Sequence, residues 1–178
     1  MLDTIVLCGV IGLDAEVASM PHYIPPDFAA SETQWHWLEE KLQDSKADYL
    51  FVTGHYPVYS VAEHGPNFCL RDRLEPMLHR YKVNAYMDGH DHTLQHLAYN
   101  SSEWTVNYVV SGAAAKTSSS TKHINSVPKG SSRFHYPKPD NNENGGFVMA
   151  EVNKEKAQFK YLSGKGSLIY SFDLKPRR

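Results

Sequence analysis

With only two cysteines, Cys8 and Cys69, the 178-residue sequence cannot build a cysteine-based metal site or a disulfide-dense fold. The pair is compatible with two free thiols or with one disulfide. Long hydrophobic runs are lacking too: none approaches the ~20 apolar residues needed to cross a bilayer. Met1 to Val10 is apolar but has no basic start and soon meets Asp14 and Glu16, so it does not read as a signal peptide. Charge of one sign is absent as well, because 18 Lys+Arg stand against 20 Asp+Glu. Without a basic stripe, nucleic acid is a poor partner for this chain. What is present is enough for one domain with a sizeable core: 41% hydrophobic and 12% aromatic residues. Ten histidines are many for this length and point either to metal ligation or to a pH-sensitive surface.

Apolar periodicity divides the chain in two. Thr4 to Cys8, rich in β-branched residues and ended by Gly9, reads as a buried strand. The proline-containing stretch from Gly12 to Ala30 reads as a long loop. Ser31 with Gln34 fits a capping box, and Trp35, Leu38 and Leu42 then mark one face of a helix to Asp44. A strand over Tyr49–Thr53, a helix over Cys69–Tyr81 and a strand over Val83–Met87 follow, an order typical of βαβ units. Beyond them, Leu94–Leu97, Thr105–Val110, Gly146–Val152, Ala157–Leu162 and Leu168–Phe172 read as shorter strands. Ser111 to Asn144, rich in Ser, Pro, Asn and Lys, reads as irregular loops. The layout is α/β with a β-richer C-terminal part.

Two clusters stand where an apolar strand stops: Gly54-His55-Tyr56-Pro57-Val58-Tyr59-Ser60 and Gly89-His90-Asp91-His92. Strand carboxyl ends are the usual place for ligands in such sheets, because their loops converge on one crevice. His90 and His92 either share a face or address two neighbouring sites. Imidazoles at two strand ends, about 35 residues apart, form a pattern that suits a transition metal.

The segment Tyr49 to Leu97 resembles the calcineurin-like metallophosphoesterases, and within them the purple acid phosphatases of the tartrate-resistant kind. The resemblance rests on G-H-Y-P-V-Y-S, on Ala62-Glu63-His64-Gly65-Pro66 and on G-H-D-H. It extends to Leu7-Cys8-Gly9, Ser111-Gly112-Ala113, Arg133-Phe134-His135-Tyr136 and Gly145-Gly146-Phe147. It implies the C-terminal portion of a metallophosphoesterase β-sandwich flanked by helices (αββα), residues 1–178 forming one partial domain. It also implies a hydrolase of phosphate monoesters, small or on phosphoproteins, at acidic pH. Its centre would pair Fe(III) with a divalent ion (Fe, Zn or Mn), His92 ligating the iron and His55 and His90 the divalent ion. His64 would be the substrate-side histidine, bonding the phosphate or protonating the leaving alkoxide. Cys8 and Cys69 would form a disulfide. The loop Gly12 to Pro26 would lie where relatives carry a cover over the active site. Asn100 opens a sequon, Asn100-Ser101-Ser102, in line with a lysosomal or secreted parent enzyme.

One departure from the pattern is large. The family's first metal-binding blocks, Asp-x-His, Gly-Asp-x-x-Asp/Tyr and Gly-Asn-His-Asp/Glu, do not occur upstream of Leu7-Cys8-Gly9. Three neutral imidazoles bring no negative charge to hold two cations together, so the chain alone is expected to bind at most one divalent ion and to hydrolyse little. The missing N-terminal half would then be its natural partner. Two alternatives stand beside this reading: a non-catalytic truncated form that works by binding, and a mononuclear zinc site on His55, His90 and His92.

Overall fold

The computed structural model describes residues 1–9, 25–101, 104–138 and 145–178. The loop expected over Gly12 to Pro26 lies almost wholly outside them.

Three layers result. Helix α1 (Thr4–Cys8) and helix α2 (Phe28–Asp44) precede strand β1 (Phe51–Thr53). A π-helical turn (Leu70–Leu74) runs into helix α3 (Glu75–Arg80), and β2 (Ala85–Asp88) follows. Strands β3 (Leu94–Ser101), β4 (Trp104–Ser111) and β5 (Ser132–Tyr136) complete a five-stranded sheet in the order β1-β2-β4-β3-β5. The β1, β2 and β4 strands run parallel, while β3 pairs antiparallel with β4 and β5. A second, antiparallel sheet holds β6 (Gly146–Val152), β7 (Ala157–Ser163) and β8 (Leu168–Leu174).

Strand alternation assigns the sheet's two faces to two cores. Tyr86, Leu97, Val106 and Tyr108 face the helices and pack with Trp35, Leu38, Leu42, Leu70, Leu74 and Leu78. Ala85, Leu94 and Val109 face the second sheet and pack with Ala157, Phe159 and Tyr161. The α/β sandwich implied by the resemblance is thus present as helix, sheet, sheet.

Four local readings are corrected. Thr4–Cys8 is a helix, not a strand, because the Asp3 carboxylate accepts from the N–H groups of Ile5 and Val6 and so caps the first turn. At its far end the Ser31 hydroxyl donates to the Leu7 carbonyl, and Gly9 turns away at φ 81. Helix α2 starts three residues before Ser31, capped by Asp27 through Ala30 N–H; Gln34 is spent instead on the backbone of Asp3. Finally, β5 lies inside the stretch expected to be irregular, and its pairing with β3 organises that stretch. The helix expected over Cys69–Tyr81 opens as a π-helical turn.

Candidate functional site

β1 and β2 are neighbours in parallel register, so their carboxyl ends bring two sequence-distant loops to one place. Backbone bonds cross between them: Gly54 N–H donates to Met87, and Gly89 N–H to His55. Position 54 has no room for a side chain, since a Cβ there would meet the Tyr86 hydroxyl and the Thr4 methyl. His90 follows at φ 61, the left-handed region, and this swings its ring back over the end of β1.

His55 and His90 meet. His90 Nδ1 lies 3.2 Å from His55 Nε2, and their rings stand edge-on with centroids 5.0 Å apart. The His64 ring is tilted against His90 at 4.4 Å, and the Tyr56 ring lies 4.7 Å from it. Burial, followed by the nearby charges of His64, His55 and His92, lowers the His90 pKa from 6.5 to about 4. His92 is exposed, and its carbonyl accepts from Ser118 N–H at 2.8 Å. So His55, His64 and His90 cluster ring to ring. The exposed His92 makes no ring contact with them among the described residues. Cys8 and Cys69 are bonded to each other, 61 residues apart in sequence. Asn100 is exposed near the end of β3.

Carboxylates lie close by but are turned elsewhere. Asp88 is buried with both oxygens unpartnered among the described residues, and burial raises its pKa well above the usual carboxylate range, Asp91 adding to the effect. Asp91, 1% exposed, accepts the His64 backbone N–H on Oδ1 at 3.1 Å. His135 comes from β5; burial lowers its pKa against the opposing pull of a Ser120 backbone bond and Asp91. The sequence expectations give Asp88, Asp91 and His135 no role of their own, although Asp91 stands inside G-H-D-H and His135 inside Arg133-Phe134-His135-Tyr136. A groove of about 460 Å³ beside α3, lined by Glu75, His79, Arg80 and Trp104 among others, contains none of these histidines.

Whether these residues suit a dinuclear metal centre follows from their donors. Two imidazole nitrogens 3.2 Å apart match the separation of two ligands on one ion bound at ~2.1 Å. Among the described residues, however, no group of three or more His, Cys, Asp or Glu side chains is arranged to hold a metal ion. Among the described residues no carboxylate joins the two imidazoles to make such a group. The residues present therefore do not fit a two-metal centre by themselves.

The chain matches the calcineurin-like phosphoesterase family over residues 11–94. It is 42% identical over all 178 residues to tartrate-resistant acid phosphatase type 5 of Rattus norvegicus, covering 52% of that protein. The chain thus spans about half the length of such curated relatives. Among solved structures it is similar to GAP50, the anchor in the inner membrane complex of Plasmodium, with a TM-score of 0.68 and 22% identity over 99% of this chain and 48% of that one. It is also similar to the purple acid phosphatase PPD1 of yellow lupin seeds, with a TM-score of 0.56 and 16% identity over 80% of this chain and 28% of that one. At such identities these two likenesses concern the fold.

Proposed function

From the premise that the chain belongs to the calcineurin-like phosphoesterases, in their purple acid phosphatase branch, we propose that it is the histidine-bearing part of an acid phosphatase acting on phosphate monoesters. The observation that carries this reading is the convergence of His55, His64 and His90 at the carboxyl ends of β1 and β2. His64 takes the substrate side, hydrogen-bonding the phosphate or protonating the leaving alkoxide, while His55 and His90 face the divalent ion and His92 the iron. Small phosphate monoesters or phosphoproteins are the substrates. The disulfide and the exposed Asn100 support a secreted or lysosomal setting.

Because no carboxylate ligands are arranged at the cluster among the described residues, these 178 residues bind at most one divalent ion and hydrolyse little without the carboxylate-bearing half that relatives possess. Elemental analysis, combined with p-nitrophenyl phosphate hydrolysis at pH 5 on the same sample, tests this. No more than one metal per chain and negligible turnover is expected. Two metals with turnover would overturn the ligand argument. If a single zinc supported hydrolysis and both vanished in His55→Ala, the mononuclear zinc reading would replace the present one.

A non-catalytic binding role is favoured by a separate feature. Strand β6 is an edge of its sheet and leaves Phe147, Met149 and Val152 exposed at 47%, 37% and 51%. Hydrolysis that appears once the other half is supplied would decide for the enzyme.

A further inference from the structure

The loop after β1 reaches His64 without any strand pairing of its own, so something else must fix that imidazole beside His90. Upstream, Gln95 Oε1 holds the Val61 N–H at 2.9 Å. Downstream, Gly65 at φ +69 lies directly against the His123 ring, leaving no room for a Cβ. At His64 itself the holding group is a carboxylate from the other strand end: Asp91 Oδ1 accepts its N–H at 3.1 Å.

We propose that Asp91 is a positioning residue for His64, using one half-buried hydrogen bond to register the substrate-side imidazole to the turn that presents His90 and His92. The inference rests on the role given to His64 above. Asp91 is itself rigidly held. Its N–H donates to Gly89 and its carbonyl accepts from Thr93, each at 2.7 Å, while Gly112 packs so tightly on that carbonyl that no Cβ fits. Its other oxygen, Oδ2, has no hydrogen-bond partner among the described residues, so the bond to the His64 amide is the hydrogen bond its side chain makes there. The short turn from Gly89 to Asp91 thereby sets two rings at once: His90 through its backbone, and His64 through the Asp91 side chain, with 4.4 Å between their centroids.

The test compares Asp91→Ala with Asp91→Asn in the full 178-residue chain by site-resolved amide hydrogen exchange. Asp91→Ala should speed exchange at His64 at least ten-fold while the amides of Tyr108 and Val109 in β4 keep their protection. Asp91→Asn, which retains an acceptor oxygen, should stay within about three-fold of the parent. Unchanged protection in Asp91→Ala would overturn the proposal, as would an Asp91→Asn variant as labile as Asp91→Ala. If Asp91→Ala does not fold, Asp91→Glu makes the same comparison, because one added methylene displaces the acceptor; a His64 amide as protected as in the parent would then overturn it.

Kinetics supply a readout that a purely structural role would not move. In p-nitrophenyl phosphate hydrolysis by the chain supplied with its complementing half, the Asp91→Ala and His64→Ala losses in kcat should fail to multiply. The double variant should be within two-fold of the slower single one; fully multiplied losses refute the coupling. Absence of hydrolysis in the parent would remove the proposed function and leave the exchange result to decide the positioning role.

Discussion

His96 makes folding sensitive to acid, and the size of the effect can be worked out from its surroundings. The ring lies between the two sheets, 4% exposed, stacked on Phe172 with centroids 3.7 Å apart. Asn107 Oδ1 can only accept, so His96 Nε2 carries the proton and donates to it at 3.0 Å. Nδ1 then accepts from the Tyr170 hydroxyl at 2.8 Å. The neutral ring is therefore fully satisfied. Burial lowers its pKa from 6.5 to about 4, opposed by the Asn107 bond and aided by Arg133 on β5. Asn107, Tyr170, Phe172 and Arg133 are the groups that face it, and none is an anion that would stabilise the imidazolium. Since the unfolded chain binds the proton at higher pH than the folded one, stability from His96 is fully present above pH 6.5 and is lost as pH falls toward 4. From these values the loss is about 2 kcal/mol at pH 5 and about 3 kcal/mol at pH 4. The assay is urea unfolding at pH 7.5 and pH 5 for the parent and for His96→Gln, which keeps an amide in place of the ring but cannot titrate. Other groups shift with pH as well, Asp88 in the opposite sense, so the informative quantity is the difference between the two proteins. The parent should lose about 2 kcal/mol more than His96→Gln. Equal losses would refute the argument, as would an NMR titration placing the His96 pKa at or above 6.

Other perturbations have equally direct outcomes. The Cys8–Cys69 bond spans 61 positions, so Cys8→Ser should lower stability by about 4 kcal/mol in the loop-entropy account; reductant should bring the parent's thermal midpoint down to that of the variant. Gly112→Ala forces a methyl into the Asp91 carbonyl and should cost about 1–3 kcal/mol, read by denaturant midpoint, together with loss of His64 amide protection. The Arg177 guanidinium donates to the carbonyls of Ala47, Tyr81 and Ser45, tying the last residues to the ends of α2 and α3. Arg177→Ala should therefore cost about 2 kcal/mol and expose the Ala47 region to proteolysis, whereas Arg177→Lys should recover only part of it.

How far these features were legible in the sequence depends on how local their causes are. Strand β6 matches its expected span, and β1, β2, β4, β7 and β8 fall within a residue or two of theirs, because short runs rich in apolar and aromatic residues mark strands whether they end up buried, like β2, or largely exposed, like β6. The first helix was misread for the same reason. Thr4-Ile5-Val6-Leu7-Cys8 has a strand's composition, but the Asp3 cap, Ser31 on the Leu7 carbonyl and the disulfide outweigh a weak intrinsic preference. Its placement matters to the site, since the Thr4 hydroxyl accepts the Tyr56 N–H just beyond His55. β5 was hidden because the short alternation in Ser132–Tyr136 lies within a long stretch rich in Ser, Pro, Asn and Lys, and its pairing with β3 is what makes it a strand.

The same divide runs through the histidine cluster. Glycine before each histidine, after an apolar run, made His55 and His90 visible as strand-end residues, and the parallel register of β1 and β2 turns that into a 3.2 Å approach. Electrostatic roles are a different matter, because a carboxylate's effect depends on where it points. Asp88 and Asp91 flank Gly89 and His90 in sequence, and sequence alone does not say where either carboxylate points. Asp91 is spent on the His64 amide, and Asp88 has Asp91 and the hydroxyls of Tyr86 and Tyr161 as its electrostatic neighbours. Of the two, only Asp91 engages a histidine of the cluster, through the His64 amide, and among the described residues neither carboxylate is arranged with the imidazoles to hold a metal ion. A second ion at His55 and His90 consequently requires carboxylates from beyond these residues, which is why metal stoichiometry separates a complete phosphatase centre from its histidine-bearing part.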